Sequence, residues 1–344
     1  IINNILPFIV ILTILVFVHE LGHYVAAIKN NVKVEVFSIG FGKELFGFDD
    51  KNGTRWKFSL IPLGGYVKMH GDLDAASTKT DDKNVNKNFS FYNKSNFQRS
   101  IILFAGPLAN FLFSLVVLIF INCYFGFSEN RPVISEIEDG QPADLSGLKV
   151  GDEILEINDK RIPDFISLKQ IILDNNNSIV NVTYLRNGNV DKLKINITDN
   201  KIGIKGTIYK EKLGFFKSIK ESSKQIYFFT KMTLIGVYEM FSGTRGTDDL
   251  GGPIRIAELS ADFWSQGLQS TLWFMMIISL NLGLINLFPI PMLDGGHLML
   301  NLIEFIKGAP LEKKSLEIIH SFGFAILVSL MLFATYNDIS RFFK

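Results

Sequence analysis

The chain has 344 residues, 47% of them apolar and 20% charged, with 31 phenylalanines and a mean hydropathy of +0.23. This is too oily for an ordinary soluble domain and points to a membrane protein in contact with the lipid bilayer. A formal net charge of +1, with no Lys/Arg cluster interleaved with aromatics, excludes a polyanion surface, so no nucleic acid partner is expected; the single cysteine, Cys123, excludes an internal disulfide and a thiolate zinc site.

The first apolar stretch, 5–27, is long enough to cross a bilayer, which takes about 20 helical residues. It lacks the basic flank of a cleavable signal and is read as a retained span within segment 1–28. Inside it stands His19-Glu20-Leu21-Gly22-His23. Residues four apart share one face of a helix, so both imidazoles reach one metal ion while Glu20 is placed to handle water bound to it. Ionisable groups within a span are costly and mark function. A bound Zn2+ is therefore expected.

Segment 29–100 reads as a cytoplasmic loop containing paired strands at 36–39, 44–48 and 54–62, with a polar turn at 49–53. Residues 72–96, rich in Asp, Lys, Asn and Ser, read as a solvated loop. A second span follows at 101–127. Segment 128–208 then has soluble-domain patterning: strands at 131–134 and 153–158, a short helix at 167–174, and a hairpin of 179–185 with 190–197 about an Asn187-Gly188 turn. This is a compact α+β insert. Segment 209–269 reads as interfacial amphipathic helices and loop; its apolar part, 225–241, carries Lys231 and Glu239 and is left uninserted. A third span at 271–290, in segment 270–297, precedes a cytoplasmic loop at 298–315 and a fourth span at 316–336, in segment 316–344.

A catalytic zinc normally has three protein ligands and one open position. The third span ends where Pro289 and Pro291 break the helix, and Asp294 follows; it is preferred as third ligand over His297, His70 and His320. At helical rise His19 lies roughly 20 Å from the start of its span and about 10 Å from its end. Four spans, but not five, bring Asp294 out on the same side as His23. The loop after span one is rich in Lys and Arg, whereas Ile1 to Asn4 hold none, so the metal is expected toward the cytoplasmic side and the insert outside.

Several segments together carry a resemblance: His19 to His23, Gly40-Phe41-Gly42, the run from Ile61 to Met69, the run from Phe104 to Asn110, and the run from Asn286 to Gly295. The chain resembles the bacterial site-2 protease family of the RseP type nearly end to end. The stretch from Gln141 to Leu148, then Gly151 to Asn158, is similar to the bacterial PDZ pattern, in one copy where some relatives have two. The implied fold is a polytopic α-helical membrane protein with four transmembrane helices, a membrane-associated β-sheet and one inserted periplasmic α+β PDZ domain.

The resemblance implies that His19, His23 and Asp294 are the zinc ligands and Glu20 the general base. It also implies that Asn286 and Pro289, with Tyr66, Val67, Lys68 and Met69 of the sheet, hold an unwound substrate. An intact helix hides its peptide bonds, so a membrane protease must unwind its substrate and rehouse the backbone groups. Residues 106–110 are expected to serve helix packing. The implied activity is zinc-dependent intramembrane endoproteolysis in a bacterial inner membrane, on single-span proteins such as anti-sigma factors or remnant signal peptides, with a peptide carboxyl terminus as a PDZ ligand. The rival readings are a PDZ scaffold with an inert metal site and a membrane zinc protease of prenylated proteins.

Overall fold

A computed structural model describes residues 2–71, 87–129, 131–206, 209–244, 246 and 251–341. The chain begins with helix α1 (Ile2–Lys29), strands β1 (Val34–Asp49) and β2 (Arg55–Met69), and helix α2 (Asn96–Ile121). There follow β3 (Phe127–Glu129), β4 (Ile134–Ile137), α3 (Pro142–Leu145), β5 (Glu153–Ile157), β6 (Lys160–Arg161), α4 (Phe165–Asp174), β7 (Ile179–Arg186), β8 (Asn189–Asn196), β9 (Ile204–Gly206) and β10 (Tyr209–Glu211). Five helices complete it: α5 (Phe215–Ser242), α6 (Pro253–Ser265), α7 (Leu268–Asn286), α8 (Asp294–Lys307) and α9 (Lys313–Ser340). One compact unit comprises Ile1–Ile121 with Phe215–Lys344, and the other Asn122–Gly214.

Among the described residues, four helical segments are long and apolar enough to cross a membrane: Ile5–Lys29, Asn96–Gly126, Leu268–Asn286 and Lys314–Ser340. α1 packs on α2 and α6, and α2 on α7 and α8. The third span stops at Asn286 rather than 290, because Pro289 and Pro291 have no N–H to donate and push the preceding residues out of helical geometry. The stretch 298–315, expected as a loop, is largely helix α8. It buries Leu300, Asn301 and Glu304 on one face and ends at Gly308, whose φ of 72° is the left-handed closure that glycine favours. α5 touches α7 through Phe229 on Trp273 and Thr233 to Asn281. The stretch 225–241, read as uninserted, is not among those four segments. α6 is capped from afar, by Asp338 of α9 accepting from the amides of Gly252, Ile254 and Arg255.

The two strands after α1 bend into a sheet of four rows. Residues 36–39 pair with 55–58 on one side and with 65–68 on the other. Gly40 and Gly42, with φ of 89° and 86°, fold β1 back so that 44–49 cover the outer side of 55–59. Among the described residues the ladder partners of 65–69 all lie on the 34–39 side, which leaves this row at an edge. Phe41, Leu45, Phe46, Phe48, Leu60 and Ile61 are exposed. The turn at the tip is built on Asp50, which accepts from the amides of Asn52 and Thr54, from Trp56 Nε1 and from the Tyr24 hydroxyl of α1. Burial by itself would raise the Asp50 carboxyl, but these donors hold it below its ordinary value. Of the stretch read as a solvated loop, 72–86 lie outside the described residues. The remainder makes two short helical turns, and Phe91 is buried because it packs with Ala26, Val34 and Met69.

The insert is an α+β unit whose four-stranded antiparallel sheet has the order β6-β5-β7-β8, with β4 and β9 paired separately. Ile134, Ile154, Leu168, Val180 and Ile195 form its core. Its limits reach beyond 128–208, because β3 pairs with β10 and Leu213 donates to the Asn122 carbonyl. The strand expected at 131–134 begins only at Ile134, since Pro132 lacks a ladder donor; Val133 makes an isolated bridge to Glu153. Asp164 caps α4 by accepting from the Ser167 amide at 2.7 Å. Asp152, 1% exposed as a side chain, is gripped by the fork of Arg186 at 2.7 and 2.6 Å.

Candidate metal centre

α1 presents His19, Glu20 and His23 within two turns, and α2 comes close because small residues line the crossing. A Cβ on Gly22 would stand 2.3 Å from the Ala105 carbonyl oxygen, and one on Gly106 would stand 2.2 Å from His23 Nε2. Residues 106–110 thus serve packing at Gly106. Asn110, on the next turn of the same face, also lies 3.2 Å from His19 Nδ1. Sequence reasoning passed over this residue. The signal was present in the run from Ile101 to Phe113, whose one polar side chain is an amide four residues after the glycine.

The loop from Leu287 to Leu293 turns back on itself, with Met292 at a φ of 80°. Gly295 and Gly296 open α8 against the backbone of this loop. Added Cβ atoms would stand 2.2 Å from the carbonyl oxygens of Leu287 and Ile290 respectively. This tight return aims Asp294 at α1. His19 Nε2 is 3.2 Å from Asp294 Oδ2, and His23 Nε2 is 3.3 Å from Asp294 Oδ1. The two Nε2 atoms are 3.2 Å apart. Ligand atoms 2.0–2.2 Å from a tetrahedral zinc stand about 3.3 Å from one another, which matches the separation of the two imidazole nitrogens and of each from an oxygen of the Asp294 carboxylate. The imidazoles are only 8% and 7% exposed. Two neutral nitrogen donors and a carboxylate, converging in a buried place, fit Zn2+ in kind as well as in spacing.

The three groups line a cleft of about 260 Å³, with Glu20 beside them. Residues 65–69 form one wall, and Asn286, Met292, Leu293 and His297 are on another. Glu20 lies against the sheet: its Cγ is 3.3 Å from where a Cβ on Gly65 would stand. Asn286 Nδ2 is 3.3 Å from His19 Nε2. Pro289 is exposed and stands outside the cleft lining, so of the two implied binding residues in that loop only Asn286 faces the centre. The other histidines stand outside the ligand cluster, although His297 lines the cleft. His70 bonds Glu35 at 2.8 Å, and His297 packs its ring 5.3 Å from that of His320. Glu35 also holds Lys68 at 3.0 Å, tying the end of the edge row. Burial alone would raise the Glu35 carboxyl, yet His70 and Lys68 keep it below its usual value.

Residues 7–330 match the family described as peptidase family M50. A protein of Rickettsia conorii is 39% identical over 99% of this chain and 99% of its own length. One from Rhizobium meliloti is 34% identical over 98% of this chain and 96% of its own, and one from Campylobacter jejuni is 35% identical over 97% and 92%. Each is provisionally named a zinc metalloprotease.

Proposed function

The chain belongs to peptidase family M50 and is a zinc metalloendopeptidase, and on that premise we propose that it cuts single-span membrane proteins within or beside the bilayer, as a step of regulated proteolysis. One observation carries the reading: two imidazoles and a carboxylate with the spacing of a zinc site stand on an apolar, span-length helix and at the start of the helix that follows another, beside a strand edge that has backbone groups to offer.

His19, His23 and Asp294 hold the metal. Zinc held there would polarise the scissile carbonyl and make a water molecule more acidic. Glu20 would accept a proton from the attacking water and return it to the leaving amine, a role suited to a carboxylate on the same helical turn as the ligands. The row 65–69 accepts the unwound substrate as an added strand, through its unpaired amides and carbonyls, and Tyr66 to Met69 face the scissile segment. Asn286 donates to the substrate backbone at the opposite wall. The exposed Phe41, Phe46, Phe48 and Leu60 are the lipid-facing surface of a membrane-associated sheet.

The insert is a PDZ domain whose open edge on β9 takes a peptide carboxyl terminus and which limits access by bulk. The Lys/Arg-rich loop after α1 supports a bacterial inner-membrane location with the metal toward the cytoplasm and the insert outside. Substrates are anti-sigma factors already trimmed outside the membrane, or remnant signal peptides. The deciding experiment is purified protein assayed for zinc content and for cleavage of a model transmembrane peptide. Wild type is expected to hold one zinc and to cleave, and Glu20→Gln to hold zinc without cleaving. Wild-type turnover in Glu20→Gln would remove the assigned base.

A further inference from the structure

The nitrogens that face one another and Asp294 are both Nε2. A neutral imidazole that gives its Nε2 lone pair to a metal carries its proton on Nδ1, and that N–H needs an acceptor to hold the ring in this tautomer. His23 has one, donating from Nδ1 to the Ile102 carbonyl of α2 at 2.8 Å. The group beside His19 Nδ1 is the amide of Asn110, also of α2. Its Nδ2 is 3.2 Å away, while its Oδ1 is buried with no hydrogen-bond partner among the described residues. Asn110 is fully buried, so an amide nitrogen facing the His19 N–H leaves two donors opposed and an oxygen unsatisfied at once. Rotating the side-chain amide by half a turn converts that opposition into a bond.

The Asn110 backbone is fixed independently. The hydroxyls of Ser114 and of Ser279 on α7 both donate to its carbonyl oxygen, at 2.9 and 3.1 Å. The side chain therefore addresses His19 from a rigid mount. We propose that Asn110 is a positioning residue: its Oδ1 accepts the His19 Nδ1 proton and keeps the Nε2 lone pair on the metal. α2 then orients both zinc histidines, His23 through a backbone carbonyl and His19 through this amide.

This rests on the zinc site proposed above and is tested on full-length protein in detergent, by competing zinc against chelators of graded strength. Asn110→Leu, similar in volume but with no acceptor, weakens zinc binding about 10–100-fold. Asn110→Asp keeps an acceptor oxygen but has no N–H to give, and it stays within a few-fold of wild type. Wild-type affinity in Asn110→Leu overturns the proposal. So does Asn110→Asp binding as weakly as Asn110→Leu, since that pattern belongs to a donor or to packing alone. If Asn110→Leu does not yield a monodisperse helical protein, Asn110→Ala replaces it in the comparison under the same criteria. Wild-type protein that binds no zinc removes the site itself, a result distinct from either variant pattern.

Discussion

Gly106→Ala adds one methyl group to α2, and elsewhere in a helix the change stabilises by about 0.5–1 kcal/mol, because glycine is the costlier residue there. At this position the new Cβ would stand 2.2 Å from His23 Nε2, 2.6 Å from Cε1 and 2.7 Å from Cδ2. Comfortable contacts begin near 3.5 Å, so the ring must retreat by roughly 1 Å. It cannot simply turn, because Nδ1 is tied to the Ile102 carbonyl and the His19 ring stands edge-on 4.8 Å away. α2 cannot back off freely either. Asn301 of α8 donates to the Asn96 carbonyl and Ser100 hydroxyl at 2.7 Å each, and Arg99 is paired with Glu304 at 2.8 Å. Metal–ligand distances tolerate about 0.2 Å, so His23 is lost as a ligand. Zinc affinity should fall by more than the roughly 10–100-fold of a lost outer bond, although the substitution favours the helix itself. Chelator competition with a parallel cleavage assay measures this. Stoichiometric zinc and wild-type turnover in Gly106→Ala would refute the close seating of α2 on His23.

Asp294→Ala removes the carboxylate and should sharply weaken zinc retention during dialysis against a weak chelator, whereas His297→Ala should preserve it; the opposite pattern would move the third ligand to His297. Glu304→Ala leaves Arg99 charged and about 10% exposed at the α2–α8 junction, which should cost about 3–5 kcal/mol and lower the unfolding temperature in detergent. Replacing both Arg99 and Glu304 by Leu should cost less, and an unchanged midpoint in Glu304→Ala would show that the pair is not desolvated. In a background with Cys123 replaced by Ser, an impermeant thiol reagent should label a cysteine at Asn187 on intact cells but one at Lys94 only after permeabilisation. The reverse would invert the orientation.

Much of the architecture was legible along the chain. Four spans stand out because lipid demands about 20 consecutive apolar residues, a purely local requirement. The hairpin about Asn187-Gly188 was visible for the same kind of reason. Both residues adopt positive φ, at 51° and 85°, which their side chains tolerate better than most. α8 was missed because its helical periodicity begins inside an Asp-Gly-Gly stretch that reads as a turn. Its stability comes from the buried face meeting α2, which no local pattern announces. The row 65–69 was placed by resemblance and not by periodicity, since Gly64 and Gly65 at its start weaken any strand signal.

His19, Glu20 and His23 could be placed together from the sequence alone because helical spacing puts i and i+4 on one face whatever the helix packs against. Asp294 was one choice among four candidates, and it became the partner of both histidines only through contacts between positions 294 and 19 and between 294 and 23, far apart in the chain. Two glycines let the α7–α8 loop close on itself, and a third lets α2 reach the histidine ring. Asn110 belongs wholly to that second class. Its position in the sequence says amide in a span, and only the crossing of α1 and α2 says that the amide faces His19 Nδ1. Spacing along one helix is set by covalent geometry, whereas convergence between helices depends on which backbones can approach, and that is decided by packing across the whole bundle.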